Sequence, residues 1–182
     1  MAGQKAKIEG DFKPLRWMHE NFTSSWHNLS EGRIWTLLTC DFSHQSPSHI
    51  LMNGFTYIFL SRPVLDMLGS RRFLGLYIGS GIFASLASMG WHNLVKHRDA
   101  NSLGASAAIY SLVSFLACVA PRMTFMIYGI IPVPAWLAVT GLFFIDTYSA
   151  VHDKQRGTDT AGHVAGISAG VGYYLAKRFR IF

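Results

Sequence analysis

Four side chains lie where a polar group is costly. His49 and Asn53 are spaced i,i+4 in an apolar run, so on a helix they face the same way, one turn apart. Ser106 follows Gly104-Ala105 at the head of a second apolar run, and Tyr110 comes one turn later. His163 opens the last run, in Ala161-Gly162-His163-Val164-Ala165-Gly166. Singly, each has an ordinary use: a serine can bond back to a carbonyl in its own helix, and a histidine can satisfy a neighbouring helix. Together they describe a hydrolase.

A serine hydroxyl is a poor nucleophile until a base within hydrogen-bond reach takes its proton, and imidazole is the usual base. A base on another helix must come close, and the run carrying His163 suits that. Gly162, Gly166 and Gly170 recur every four residues beside Ala161, Ala165 and Ala169, and His163 rides on this small-residue face. Gly104, two residues before Ser106, lets backbone approach the nucleophile. Attack on a carbonyl also needs donors aimed at the oxyanion, each worth about 2.7–4 kcal/mol. Asn53, His49 and the Ser106 N–H are the candidates. The eight histidines are scattered, and the sequence contains no HExxH and no GxGD, so zinc and aspartyl chemistry are disfavoured and no metal site is expected.

The elements that must position these residues are long and apolar. Half of the 182 residues are hydrophobic and only 14% are charged, with a mean hydropathy of +0.24, which points to the bilayer. Residues 1–25 read as a polar tail and 26–182 as one membrane domain. Within it, 26–47 alternates aromatic and polar positions, as an interfacial loop with a short helix would. Five apolar spans follow, at 49–68, 73–92, 103–120, 124–150 and 160–177, and all are expected as helices because unpaired backbone is too costly in lipid. Arg62, Pro63 and Asp66 interrupt the first, so its membrane portion is expected to end near Leu60. Pro132 and Pro134 predict a kink in the fourth, or a helix start after Ile131.

The net charge is +6, but the basic residues fall in short clusters beside the apolar runs, a juxtamembrane pattern rather than a nucleic-acid surface. Cys40 and Cys118 have no metal-ligand spacing and imply neither zinc nor a disulfide framework. The N-terminus has no secretory apolar run, and its Lys5, Lys7, Lys13 and Arg16 are mixed with Glu9 and Asp11, unlike an acid-poor transit peptide. No tandem repeat, and no inverted repeat with broken helices of the kind transporters use, is visible.

Across residues 31–178 the sequence resembles the rhomboid proteases. SLGAS at 102–106 is similar to the family's GxSG serine motif, HILMN at 49–53 to its HxxxN motif, and GHVAG at 162–166 to its AHxxG motif. His44 stands where members often carry a loop histidine, and Tyr110 where the family stacks a tyrosine on the catalytic imidazole. Glu31, Arg33, Trp35 and Phe42 fit the loop before the second helix. The SLGAS form, IPVPAW at 131–136 and Asp159 look most like the mitochondrial, presenilin-associated rhomboid-like group.

The resemblance implies an all-α membrane protein, a rhomboid-type helix bundle with five spans visible and the family's first helix missing. It implies a Ser106–His163 dyad without an aspartate, and an oxyanion hole from Asn53, His49 and backbone. Tyr110, Gly104, Gly162 and Gly166 support the dyad. No cofactor is implied. The implied substrates are single-pass membrane proteins, and the implied place is the mitochondrial inner membrane or another organelle membrane. Ala107 stands where the family has glycine, and Gly162 where it has alanine. With the missing helix, Ala107 keeps open a second reading, a catalytically inactive rhomboid-like protein that binds membrane clients.

Overall fold

The computed structural model describes residues 12–127, 129–154 and 157–181. Lys5, Lys7, Glu9 and Asp11 of the N-terminal charge reading, and Arg156 in the basic cluster before the last apolar run, lie outside the described residues. Part of the segment expected as tail is folded. Helix α1 (Lys13–Phe22) starts with a proline in its first turn, where the missing N–H costs nothing. Thr23, Ser24 and Ser25 behind it are buried. The Ser25 hydroxyl caps α2 (Trp26–Ser30) by accepting from the Asn28 amide. The interfacial loop continues as α3 (Thr36–Thr39) and one 3-10 turn, Cys40–Phe42.

Helix α4 (Pro47–Leu68) is capped by the Ser46 hydroxyl, which accepts from the His49 amide at 3.2 Å. It runs through Pro63 to Gly69, and Arg62 and Asp66 form an exposed i,i+4 ion pair at 3.0 Å rather than a break. Ile50, Leu51, Phe55, Ile58 and Phe59 on α4 are exposed apolar residues, a face for lipid rather than water.

Helix α5 (Ser70–Gly90) continues as a π turn over Trp91–Val95. Among the described residues, Ser70–Val95 is the one helix both long and apolar enough to cross a membrane. Helix α6 (Ser106–Val119) is the centre of the bundle: apart from half-buried Tyr110, every residue from Ala108 to Ala117 is buried. A helix apolar on all sides belongs in such a core.

The stretch 124–134 is not helix but an antiparallel hairpin, β1 (Thr124–Ile127) with β2 (Ile131–Pro134), so the domain is not all-α. Pro132 and Pro134 cannot continue a helix and are tolerated in the edge of a two-stranded ribbon. Gly129 in the turn has φ +70°, a backbone glycine adopts without strain. Helix α7 (Ala135–His152) therefore starts late, after Pro134. Helix α8 (Thr160–Arg178) is capped by Asp159, which accepts from the Gly162 amide at 2.9 Å.

Two apolar clusters meet at α6. Val64, Leu68, Phe73 and Leu76 pack on Leu112, Phe115 and Leu116 on one side. Ala135, Val139 and Ile167 pack on Ile109 and Val113 on the other. Between them run hydrogen bonds that use the buried serines. Ser80 meets Ser111 at 2.6 Å, and the Ser114 hydroxyl donates to the Ile167 carbonyl at 3.0 Å. Such bonds hold helices together where lipid offers no hydrophobic drive.

Candidate functional site

Ser106 is the first residue of α6, and the loop before it is held from two directions. Ser24 and Ser102 exchange backbone hydrogen bonds of 2.8 and 2.9 Å, and the Gly104 amide donates to the Cys40 carbonyl at 2.9 Å. Gly104 has φ +117°, and a Cβ there would lie 2.7 Å from His49 Cε1 and 3.0 Å from its Nε2. Glycine is required twice over, by the backbone and by the imidazole packed against it. That contact brings the α4 histidine to the serine loop.

His163 lies in the first turn of α8, and the small-residue face does what its pattern predicts at two of its three glycines. A Cβ on Gly166 would overlap the Ala107 carbonyl, and one on Gly170 would overlap the Ser111 carbonyl and the Ser114 hydroxyl. The backbones of α6 and α8 thus touch directly. Gly162 serves another purpose: a Cβ there would lie 2.6 Å from Oδ2 of Asp159, the capping carboxylate. Asp159 also accepts from the Ser88 hydroxyl at 2.6 Å, which ties the head of α8 to α5.

With the two helices in contact, His163 Nε2 is 2.8 Å from Ser106 Oγ. The Tyr110 ring stacks on the imidazole, centroids 4.4 Å apart at 14°. The other nitrogen, Nδ1, lies 3.1 Å from Oδ2 of Asp146 on α7. His163 and Asp146 are 8% and 4% exposed, so this is a buried pair.

Sequence reasoning missed Asp146. Its signal was an ionisable residue inside the apolar stretch LFFIDTY, which is a functional candidate by default.

Among the described residues, Asn53 Nδ2 on α4 and His44 Nε2 in the loop before it are buried with no hydrogen-bond partner. A donor left unpaired in this way is available to a substrate oxygen. His44 packs edge-on against His49 at 5.0 Å. Burial, reinforced by His49, lowers its affinity for a proton, as desolvation does for any cation. Behind Ser106 is a cavity of about 20 Å³, lined by Ser24, Cys40, Asp41, Ser85 and His163 among others, large enough for one water. Asp41 is 4% exposed, and burial raises its carboxyl to about 7, against a smaller opposing effect of the Cys40 hydrogen bond. A wider cleft of about 440 Å³ opens beside it, between Ser102-Leu103 and Asp159-Thr160, with Arg98 and Asp153 on its wall.

A serine on a base, with the base on a carboxylate, can perform acyl transfer. The model of the rhomboid domain matches residues 31–178, which contain all of these groups. The chain belongs to the rhomboid family. It is 30% identical to mitochondrial rhomboid protein 1 of Saccharomyces cerevisiae, over 75% of this chain and 40% of that protein. It is 27% identical to an uncharacterised mitochondrial rhomboid protein of Schizosaccharomyces pombe, over 88% of this chain and 55% of that protein. For the presenilin-associated rhomboid-like protein A of Danio rerio, also mitochondrial, the identity is 27% over 87% of this chain and 41% of that protein. The chain thus spans about half the length of the curated relatives it matches. The rhomboid family and these mitochondrial members make it a membrane protein of a mitochondrial membrane.

Proposed function

We propose that this rhomboid is a serine endopeptidase that cleaves single-pass membrane proteins in the mitochondrial inner membrane, with Ser106 as nucleophile and His163 as its base. The observation that carries the reading is the 2.8 Å contact between Ser106 Oγ and His163 Nε2, made on two helices whose backbones touch. In the proposed reaction His163 Nε2 takes the Ser106 proton as Oγ bonds to the scissile carbonyl carbon. The carbonyl oxygen gains the negative charge, and Asn53 Nδ2, His49 and the Ser106 N–H donate to it. The imidazolium then passes its proton to the leaving nitrogen as the C–N bond breaks. Water, activated by the same imidazole, releases the acyl group from Ser106. Tyr110 keeps the ring plane fixed through both halves.

The test is to reconstitute the purified chain with a single-pass substrate in proteoliposomes and, separately, to label it with a serine-directed phosphonate. Cleavage and labelling that both vanish in Ser106→Ala and His163→Ala are expected, with each variant folded. Cleavage retained by Ser106→Ala overturns the reading. A wild-type chain that binds the substrate but neither labels nor cleaves is the client-binding alternative.

A further inference from the structure

We propose that Asp146 is the positioning residue for His163, so that the site works as a Ser106–His163–Asp146 relay across three helices rather than as a dyad. The inference rests on the endopeptidase reading for its kinetic consequence, but its structural part stands without it.

Asp146 sits on α7 behind Phe143, Phe144 and Ile145, of which Phe144 and Ile145 are more than half exposed on the outer face of the helix. An unpaired carboxylate there costs several kcal/mol in desolvation. Among the described residues its one side-chain hydrogen-bond partner is His163 Nδ1, at 3.1 Å. A carboxylate can only accept, so Nδ1 must carry the proton. A neutral imidazole has one N–H, so Nε2 then presents its lone pair, and Nε2 is the atom 2.8 Å from Ser106 Oγ. Asp146 therefore selects the tautomer that can act as a base. The opposite tautomer would point an N–H at the serine and could not accept its proton.

The same carboxylate faces the imidazolium that forms once His163 has taken the Ser106 proton. Among the described residues, the side chains bonded to or stacked on the ring are Tyr110 and Ser106 from α6 and Asp146 from α7. Asp41 and Asp159 share a small cavity with His163, but Asp146 is the carboxylate bonded to the ring, so it is the one placed to offset the charge directly. Chain order is Ser, Asp, His, each on its own helix, and the α6–α8 and α7–α8 packing fixes all three. Resemblance alone implies no aspartate at this site. The geometry supplies one.

The experiment replaces Asp146 with asparagine, whose amide can turn either its oxygen or its NH2 towards Nδ1 and so no longer dictates the tautomer. Two readouts are taken in the same lipid. Nitrogen-15 NMR of labelled histidine, with His163 assigned by its loss in His163→Ala, reports which ring nitrogen is protonated. Cleavage kinetics report kcat and KM separately. The expected result is a single Nδ1–H tautomer in the wild type and a mixture in Asp146→Asn. With it, kcat should fall about 10²- to 10⁴-fold, the range seen when a triad carboxylate is neutralised, and KM should change little.

An unchanged tautomer in Asp146→Asn overturns the inference whatever the activity, and so does a changed tautomer with wild-type kcat. Should Asp146→Asn fail to fold, Asp146→Glu is read instead. It keeps the charge but moves it by one methylene, and wild-type kcat there overturns the inference equally. If the wild-type chain does not cleave, the endopeptidase reading fails by itself, and the tautomer measurement still decides the pairing.

Discussion

Gly166→Ala tests how the dyad is assembled. A methyl at this position would overlap the Ala107 carbonyl oxygen and lie 2.9 Å from its carbon, where ordinary contact begins at 3.4 Å. Clearing the carbon alone needs 0.5 Å (3.4 − 2.9), and clearing the oxygen needs about 1 Å, because backbone on both sides cannot rotate away. Ala107 adjoins Ser106, and Gly166 lies one turn after His163. Opening the seam by this much stretches the 2.8 Å Oγ–Nε2 contact to about 3.8 Å, beyond hydrogen-bond range. A misplacement of about 1 Å can cost about a hundredfold in rate. Stability should change less, since overpacking costs about 1–3 kcal/mol while glycine to alanine in a helix returns about 1 kcal/mol. Gly172→Ala on the same helix is the control, because its Cβ would meet nothing within 4 Å. Cleavage in proteoliposomes and thermal unfolding in matched detergent are compared for the three proteins. A Gly166→Ala protein that cleaves within a few-fold of wild type refutes the reasoning, as does an equal loss in Gly172→Ala.

Asn53→Ala should lower kcat about 10²- to 10³-fold with little change in KM, as loss of one oxyanion donor does; an unchanged rate removes Asn53 from the site. Ala107→Gly should keep the α6–α8 contact, which the Ala107 backbone makes, so turnover is expected to change less than about tenfold while the helix loses about 1 kcal/mol. Asp41 makes stability depend on pH. Burial holds its folded carboxyl near 7, above the ordinary 3.8, so its contribution is complete below 3.8, falls as pH rises, and is lost once pH passes about 7. Thermal unfolding from pH 4 to 8 should show that decline, at most about 4 kcal/mol at 1.36 kcal/mol per pH unit, and Asp41→Asn should flatten it.

Much of this site was legible because helices turn sequence spacing into facing. The serine at a helix head, His49 and the glycines that follow His163 each specify a face, and these meet: His49 packs on Gly104, and Gly166 and Gly170 bring α8 onto α6. What was hidden has two causes. Asp146 carries no motif, and only its isolation among phenylalanines marks it, a signal that counts once polarity inside every apolar run is tallied rather than polarity inside motifs. The hairpin at 124–134 was half-visible. Pro132 and Pro134 forbade helix, but whether the chain would kink or pair with its neighbour depends on cross-strand contacts that spacing does not encode. Asp41 and Ser24 are polar residues in polar-looking segments. Their burial depends on the loop lying over α5, a tertiary fact.

The two departures from the family motifs have different physical standing. Gly162, where alanine is usual, is tied to Asp159: the carboxylate that caps α8 and bonds Ser88 occupies the space a methyl would need. A Gly162→Ala chain would have to give up the cap or the tie to α5, and either would loosen the turn that carries His163. Ala107 meets no such demand, because its contact with Gly166 is made by backbone atoms that any residue has. The dyad is then pinned at both ends. Ser88–Asp159 holds the head of α8, Ser114–Ile167 holds α6 to α8 one turn beyond the imidazole, and the Gly166–Ala107 contact lies between them. In lipid, where no hydrophobic force pulls helices together, two polar pins astride a close backbone contact are what keep a hydroxyl and an imidazole within hydrogen-bond reach.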